Sequence, residues 1–283
     1  MRPRQWLKNV FIFAALVFDR KLANTQALVA TILGFILFCL LSSAVYLLND
    51  IGDIEADRNH PKKRLRPLPS GQLPVPVAWA AIVVILIIVF PLSFALSTSF
   101  GLVATLYFVL NVAYTKWLKH IPILDVLVLA SFYVIRVHAG VVLVHVERFS
   151  PWLYVVTTML ALYIGLGKRR AELSLLADNA NSHRKVLEGY TIPFLDQMIL
   201  VVSATTIMSY SLYTFSAPNL PADHSMMLTI PFVVYGIFRY LHLLEVDNRV
   251  GEPVELALTD RPLQITMVTW AAVILAIFYF LPE

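Results

Sequence analysis

The chain has 283 residues, of which 59% are hydrophobic and only 14% are charged. This composition excludes a single soluble globular domain, because one core could not bury so many apolar residues and so few charges could not cover its surface. The formal charge of +4 does not indicate nucleic-acid binding, since basic residues in membrane proteins gather at cytoplasmic helix ends. We therefore expect an all-α protein in a lipid bilayer, with no nucleic-acid partner.

Nine apolar segments resemble membrane helices, which need about 20 residues to cross the hydrocarbon layer. In chain order they lie near residues 7–18, 25–48, 75–97, 101–118, 122–145, 151–168, 191–216, 225–244 and 264–281. The first and last segments are short for full spans, so eight is the alternative number. The pattern predicts one polytopic helical bundle that forms a single transmembrane domain over residues 1–283.

Charged residues are distributed unevenly between the two predicted sides of the membrane. If the N-terminus is cytoplasmic, most of the 22 basic residues fall in cytoplasmic loops, in agreement with the positive-inside rule. Most acidic residues fall on the same side, which that rule does not explain. We therefore expect a bacterial inner-membrane protein whose active-site cavity is cytoplasmic and is formed by loops near residues 49–74, 115–122 and 168–190.

The strongest signal is an acidic motif at the end of the second predicted helix. Asp50, Asp53 and Asp57 are spaced at i, i+3 and i+7, so they would lie on one helical face if the helix continued past the membrane. Clustered carboxylates repel one another, and Mg²⁺ commonly takes one or two carboxylates together with phosphate oxygens. Basic residues that suit a phosphate follow at once: Arg58, Lys62, Lys63, Arg64 and Arg66. The motif predicts a magnesium-bound diphosphate, and the alternative is a solvated acidic loop.

Two charged residues interrupt the predicted helix 122–145. A guanidinium inside an apolar span is costly and usually faces a cavity or a partner, so Arg136 is a candidate phosphate ligand. Asp125 lies 11 residues earlier on nearly the same face. It is about 16 Å away at 1.5 Å per residue, which is too far for direct pairing. The alternative for Arg136 is a structural arginine that snorkels or pairs internally.

A basic cluster, GKRRAEL, follows the predicted helix 151–168. Its cations are Lys168, Arg169 and Arg170, which can bind phosphate directly through arginine hydrogen bonds and a lysine point charge. Glu172 can pair with Lys168 at i+4 or with Arg169 at i+3 and so hold the cluster in place. The alternative is a topological anchor at a cytoplasmic helix end.

The segment NDIGDIEAD resembles the first Asp-rich motif, NDxxDxxxD, of the UbiA-type intramembrane prenyltransferase superfamily. Asn49, Asp50, Asp53 and Asp57 match this motif position for position, and the resemblance extends over nearly the whole chain. It implies an all-α, UbiA-like membrane bundle in which this motif binds magnesium and a diphosphate.

The YTKWLK segment matches the same superfamily in its Tyr/Lys loop motif, which falls on Tyr114 and Lys119. The match implies that both residues contact phosphate. Lys8, in RPRQWLKN, suits the same use, although anchoring to anionic lipid headgroups explains it equally well. Tyr190 and Asp196 open the seventh predicted helix and are further candidates for residues that face the cavity.

Three segments resemble one branch of this superfamily, the decaprenyl-phosphate phosphoribosyltransferases: RPRQWLKN, KRRAEL and VIRVHAG. Typical prenyltransferases carry a second Asp-rich loop where this chain has KRRAEL, so the charge at that place is reversed. The resemblance implies transfer of 5-phosphoribose from phosphoribosyl diphosphate (PRPP) to a polyprenyl phosphate, with release of diphosphate, for the synthesis of cell-envelope glycoconjugates. Donor and acceptor together bring three anionic groups, which a basic loop would neutralise.

Under this interpretation, we expect three groups of candidate residues with assigned roles, and six further candidates. Asp50, Asp53 and Asp57 would bind Mg²⁺ and act in catalysis. The charge of the diphosphate would be shared by Arg58, Lys63, Arg66 and Lys119. The 5-phosphate and the acceptor phosphate would be held, with no decision between the two, by Arg136, Lys168, Arg169 and Arg170. The further substrate-binding candidates are Lys8, Asn49, Tyr114, Asp125, Glu172 and Tyr190.

Two other functions stay open. A UbiA-type prenyltransferase would move a prenyl group from a prenyl diphosphate to an aromatic acceptor or to haem, and a polyprenyl-phosphate carrier or flippase would perform no chemistry. A carrier predicts functional polar residues on both sides of the membrane, whereas the predicted outer loops are short and almost uncharged. The isoprenoid chain length is not encoded in any pattern, and a homo-oligomer is neither indicated nor excluded.

Overall fold

The computed structural model describes residues 3–58, 63–146, 150–178, 185–218, 220–246, 256 and 259–280. Within these residues it contains helices and no β-strand, which confirms the all-α prediction. The α-helices are α1 Pro3–Trp6, α2 Ala14–Phe18, α3 Thr25–Gly52, α4 Ile54–Arg58, α5 Val75–Leu96, α6 Thr98–Lys116, α7 Leu124–Val144, α8 Pro151–Asp178, α9 Ile192–Ser216, α10 Ile230–Glu245 and α11 Arg261–Tyr279. Short 3₁₀ helices cover Leu7–Phe13, Lys63–Leu65, Leu118–His120, Lys185–Gly189 and Ser225–Thr229.

Seven helical segments in the described part of the chain are long and apolar enough to cross a membrane. They are Thr25–Gly52, Val75–Leu96, Thr98–Lys116, Leu124–Val144, Ile192–Ser216, Ser225–Glu245 and Arg261–Tyr279. These correspond to seven of the nine predicted segments and make the protein a multi-pass membrane protein. The predicted segment 7–18 forms a 3₁₀ helix followed by the short α2, and the predicted segment 151–168 is the first part of α8.

The predicted loop 168–190 is wrong in its first part, because α8, which has 28 residues, continues to Asp178. The sequence after Gly167 changes from apolar to charged, which suggested the end of a helix. However, its residues are mostly Lys, Arg, Ala, Glu and Leu, which are strong helix formers, and no glycine or proline interrupts them before Asp178. The basic cluster is therefore displayed on a helix.

The chain divides into two compact units. Unit 1 comprises Met1–Leu16, Lys21–Lys119 and Ile135–Val146. Unit 2 comprises Val17–Arg20, His120–Val134 and Glu147–Glu283. Helix α7 contributes its first half to unit 2 and its second half to unit 1.

In unit 1, α3 packs against α5, α6 and the 3₁₀ helix Leu7–Phe13. The ring of Phe38 lies 5.6 Å from that of Phe100 and 5.2 Å from that of Tyr107, so aromatic contacts join α3 to α6. Gly140 on α7 directly faces the backbone carbonyl of Ile12, where no Cβ could be accommodated. This glycine lets the N-terminal segment lie against the second half of α7.

In unit 2, α8 packs against α9, and α10 packs against both α9 and α11. The buried Tyr163 of α8 donates a hydrogen bond to the Ile237 carbonyl of α10 (2.7 Å). Arg239 donates from Nε and Nη2 to the two oxygens of Asp260, at 3.2 and 2.7 Å. Asp260 also caps α11 by accepting from the Leu263 N–H (2.9 Å), so this ion pair fixes the start of α11 to α10.

Candidate active site

The predicted acidic motif lies at the junction between α3 and α4, in unit 1. Asn49 and Asp50 belong to the last turn of α3, which ends at Gly52. Asp53 has φ −103° and ψ 8°, outside helical geometry. Its N–H donates to the Asn49 carbonyl (3.0 Å), and its own carbonyl accepts from the Asp57 N–H (2.8 Å). The helix is thus interrupted next to a glycine, which is a poor helix former, and resumes one residue later.

The interruption falls between Asp50 and Asp57, and both carboxylates contact a single atom, Nη1 of Arg66, at 3.6 and 2.6 Å respectively. Asp57 is only 3% exposed. Asp53 is oriented differently and pairs with Lys119 Nζ at 3.2 Å. We refer to Asn49, Asp50, Asp53, Asp57, Arg66 and Lys119 as the acidic site.

The end of α6 completes the acidic site. Lys119 lies in the 3₁₀ helix that follows α6, and Thr115 lies in the last turn of α6. The Thr115 hydroxyl donates to the side-chain oxygen of Asn49 and lies 2.9 Å from the Asn111 carbonyl. Tyr114 precedes it and is half-buried. The sequence interpretation missed Thr115, whose only signal was its place inside the YTKWLK segment.

Not every basic residue predicted for the diphosphate lies at the acidic site. Arg58 donates to Glu55 Oε1 (3.0 Å) and to the Pro69 carbonyl (3.4 Å) rather than to the three aspartates. Lys62 and the side chain of Lys63 lie outside the described residues. Arg66 and Lys119 are therefore the predicted phosphate ligands that this structure places against the motif.

The donor atoms of the acidic site suit a hard divalent cation, which prefers carboxylate and amide oxygens. In their present arrangement, no three His, Cys, Asp or Glu side chains of the described residues form a metal-binding group. The guanidinium of Arg66 contacts both Asp50 and Asp57 through one nitrogen. Because two carboxylates already converge on one positively charged atom, the residues present fit a cation at this point.

Arg136, the predicted intramembrane phosphate ligand, is 4% exposed and bonded to neutral groups. Its Nε donates to Asn9 Oδ1 (2.8 Å), and its Nη2 donates to the Tyr107 hydroxyl (2.9 Å). Asn9 in turn donates to Cys39 Sγ (3.3 Å) and to Ser42 Oγ (3.4 Å). These bonds join the N-terminal segment to α3, α6 and the second half of α7, so Arg136 has a structural role in unit 1.

The N-terminal segment follows one face of α3. Trp6 Nε1 donates to Ser43 Oγ (3.1 Å), and the Tyr46 hydroxyl donates to Gln5 Oε1 (3.3 Å). Lys8 lies between these contacts and the buried Asn9 and is half-buried. The segment is therefore packed into unit 1 rather than lying free, and the sequence interpretation did not predict the role of Asn9.

In unit 2, one member of the basic cluster of α8 forms a buried ion pair. Arg169 is 2% exposed and donates from Nε to Asp125 Oδ2 (2.7 Å) and from Nη1 to Glu172 Oε2 (2.6 Å). The second of these is the i, i+3 pair that the spacing predicted. Asp125 is fully buried. The guanidinium is thus enclosed by two carboxylates, so its charge is already neutralised within the protein.

Tyr190 completes this network. Its hydroxyl donates to Asp125 Oδ1 (2.6 Å) and accepts from the Ile123 N–H (2.6 Å). Burial and the hydrogen bond to the carboxylate raise the pKa of Tyr190 well above its usual value, so the hydroxyl stays a neutral donor. We refer to Asp125, Arg169, Glu172 and Tyr190 as the buried network. It joins α8 to the start of α7 and to Tyr190, two residues before the start of α9.

Arg170 and Lys168 are less enclosed than Arg169. Arg170 donates from Nε to Asp196 Oδ1 (2.5 Å) and from Nη1 to the Leu244 carbonyl (3.3 Å). The side chain of Asp196 is 38% exposed, so this pair lies at the edge of unit 2. Lys168 is half-buried. Within the basic cluster, these two residues are less buried than Arg169.

Comparison with known proteins supports the resemblance seen in the sequence. The chain matches the UbiA prenyltransferase family over residues 9–253. It is 32% identical to a decaprenyl-phosphate phosphoribosyltransferase of Corynebacterium glutamicum, over 100% of this chain and 86% of that protein. It is 35% identical to a decaprenyl-phosphate phosphoribosyltransferase of Mycobacterium tuberculosis, over 97% and 91%.

Among solved structures, a UbiA homolog from Archaeoglobus fulgidus bound to DMAPP and Mg²⁺ matches this fold with a TM-score of 0.73. The match covers 99% of this chain and 98% of that one at 19% sequence identity. At this level of identity the likeness concerns the fold alone, and it confirms the predicted UbiA-like architecture.

Proposed function

The chain belongs to the UbiA prenyltransferase family, and we propose that it is a polyprenyl-phosphate phosphoribosyltransferase. It would transfer 5-phosphoribose from PRPP to decaprenyl phosphate or a similar polyprenyl phosphate, with release of diphosphate. The observation that carries this proposal is the similarity to decaprenyl-phosphate phosphoribosyltransferases over essentially the full chain, at 32–35% identity.

We assign the diphosphate of the donor to the acidic site. The residues that would hold a divalent ion there, Mg²⁺ in our proposal, are Asp50, Asp53 and Asp57. When bound, such an ion supplies Lewis-acid stabilisation of the leaving diphosphate. Arg66 and Lys119 already lie beside the carboxylates and can donate charge-assisted hydrogen bonds to the phosphate oxygens.

The acceptor phosphate is an anion at neutral pH, so its oxygen can attack C1 of the ribose without a strong general base. The bond from C1 to the diphosphate oxygen breaks as the bond to the lipid phosphate forms on the opposite face. The configuration at C1 therefore inverts. The task of the protein is to hold the two anionic substrates in this geometry.

For the 5-phosphate and the acceptor phosphate we propose Lys168 and Arg170, which are less buried than Arg169. Arg169 and Arg136 are assigned to positioning, because Arg169 is enclosed by Asp125 and Glu172 and Arg136 joins the N-terminal segment to α6. The remaining phosphate contacts proposed from the sequence are Lys8, Asn49, Lys63 and Tyr114, whereas Arg58 pairs with Glu55 and is not assigned to a phosphate.

The location proposed for the enzyme is the bacterial inner membrane, with the N-terminus and the acidic site on the cytoplasmic side. The supporting observation is the accumulation of Lys and Arg residues in the loops on that side. With this orientation, a soluble donor reaches the acidic site from the cytosol and the lipid acceptor from the inner leaflet.

The test is a transfer assay with purified protein in detergent. Labelled PRPP with decaprenyl phosphate is compared with a labelled prenyl diphosphate and 4-hydroxybenzoate, and the lipid product is extracted and identified. We expect label in a phosphoribosyl lipid only in the first reaction, and loss of this activity with EDTA, D50N or D53N. E55Q is the matched control, since Glu55 lies in the same segment with its side chain 86% exposed, and it should keep most of the activity. Prenylated 4-hydroxybenzoate would instead identify an aromatic prenyltransferase.

A further inference from the structure

Each aspartate of the motif has a basic side chain as its partner. Arg66 Nη1 lies 2.6 Å from Asp57 and 3.6 Å from Asp50, and Lys119 Nζ lies 3.2 Å from Asp53. Each pair uses one oxygen of its carboxylate, and the same carboxylates are the proposed metal ligands. A divalent ion that enters the site therefore competes with cations that already neutralise these carboxylates.

Such an exchange is unfavourable for a metal ion alone. It places two positive charges close to the guanidinium of Arg66 and the ammonium of Lys119, and it weakens the pairing of both groups with the carboxylates. Neither basic group is free in bulk water, since the side chains of Arg66 and Lys119 are 33% and 18% exposed. Water can replace the lost hydrogen bonds only in part.

A diphosphate changes this balance. Its oxygens bind the metal ion and also accept hydrogen bonds from arginine and lysine, which favour phosphate as much as carboxylate. The basic groups then have new acceptors at the moment when the carboxylates turn to the metal ion. The metal ion and the basic groups are positive, and the diphosphate and the carboxylates are negative. Only when all four are present does each positive group have a negative group of its own beside it.

We propose that Arg66 and Lys119 determine the specificity of the acidic site for a metal–diphosphate complex, so that it binds a free divalent ion weakly. This inference rests on the proposed function and concerns the same site. By thermodynamic linkage, diphosphate tightens metal binding by the same factor by which the metal ion tightens diphosphate binding. The two basic residues are the source of this coupling, since each opposes metal binding and favours phosphate.

The test measures binding rather than turnover. Mn²⁺ is titrated into the purified protein in detergent, with free Mn²⁺ followed by electron paramagnetic resonance, first alone and then with inorganic diphosphate. The known complexation of Mn²⁺ by diphosphate in solution is subtracted. For the wild-type protein we expect diphosphate to lower the Kd of Mn²⁺ by about 10-fold or more, within the range usual for coupled sites.

The variants should shift the two affinities in opposite directions. R66Q and K119Q should each bind Mn²⁺ alone several-fold more tightly than the wild type and bind diphosphate several-fold more weakly, so that the coupling factor falls toward one. K119Q is needed beside R66Q because Asp53, its partner, has a 45% exposed side chain and tolerates the loss, whereas R66Q removes a cation that lies 2.6 Å from the buried Asp57. R58Q removes the same charge from a residue bound to Glu55 and should leave the affinity for Mn²⁺ alone unchanged.

The outcomes separate this inference from the proposed function. If D50N lowers Mn²⁺ binding while R66Q and K119Q leave it unchanged or weaken it, the metal site stands and the role of the basic residues is refuted. An equal tightening in R58Q also refutes it, because a general charge effect would then explain the result. If the wild type and D50N bind Mn²⁺ equally with and without diphosphate, the proposed metal site itself is wrong.

Discussion

The hydroxyl of Tyr190 and the carboxylate of Asp125 form a 2.6 Å hydrogen bond, and the second oxygen of the same carboxylate accepts from Arg169 at 2.7 Å. Asp125 is fully buried at the start of α7. Its two partners come from a short segment before α9 and from α8, so one carboxylate fixes the positions of three elements. A buried charge of this kind contributes to stability only while its partners are in place.

Removal of the Tyr190 hydroxyl should therefore lower the stability of the protein. Y190F leaves Asp125 Oδ1 and the Ile123 N–H without the partner they have in the wild type, which costs about 1–3 kcal/mol for buried groups. The measurement is thermal unfolding of the purified protein in detergent. Y235F is the matched control, since Tyr235 is 48% exposed, and it should unfold at the wild-type temperature. An unchanged unfolding temperature for Y190F would contradict the role assigned to this bond.

The neighbouring arginines Arg169 and Arg170 should respond differently to the same substitution. R169Q leaves Asp125 and Glu172 without their shared cation, and breaking a buried pair costs about 3–5 kcal/mol. R170Q affects a pair at the edge of unit 2, so its stability should fall by less, while its KM for PRPP or for polyprenyl phosphate rises severalfold. Thermal unfolding and steady-state kinetics on the two variants distinguish positioning from substrate binding. Equal stability losses with no change in KM for R170Q would remove Arg170 from the substrate site.

A large part of the fold was predictable because a membrane helix has a strong one-dimensional signal. Seven apolar segments were located, and the motif residues Asn49, Asp50 and Asp53 were found at the end of α3. The end of α8 was not predictable, because a change from apolar to charged residues marks the membrane boundary, while the helix itself ends only where the backbone is interrupted. The break at Asp53 was not predicted, because the spacing rule assumed a continuous helix.

The partners of the candidate residues were the least predictable feature. Arg169 and Glu172 were paired correctly because i and i+3 are adjacent on one helix. Arg136 and Asn9 are separated by 127 positions, and nothing in a linear pattern connects a short N-terminal segment to the middle of α7. Tyr190 and Asp125 are separated by 65 positions and belong to different elements. Such contacts follow from helix packing, which sequence periodicity does not specify.

The contact between Asn9 and Arg136 should be important for the stability of unit 1. N9A removes an acceptor from the buried guanidinium and a donor from Cys39 and Ser42, so a loss of about 1–3 kcal/mol is expected. Val10, the next residue, is 47% exposed, and V10A should have little effect on thermal unfolding. A wild-type unfolding temperature for N9A would show that the N-terminal segment contributes little to the packing of α3 and α7.

Thr115 should act on the reaction through Asn49, which it contacts at the end of α3. The Asn49 amide can rotate, and a hydroxyl bonded to its oxygen fixes which of its atoms faces the neighbouring aspartates. T115V removes the hydroxyl at nearly constant volume, while T115S keeps it. If one hydrogen bond of about 1 kcal/mol is used to orient Asn49, T115V should lower kcat/KM for PRPP about fivefold.

T115S should stay within about twofold of the wild type, and both variants should unfold at similar temperatures because the side chain is only half-buried. Equal loss of activity in T115V and T115S would indicate that the methyl group, or the packing of α6, matters and the hydroxyl does not.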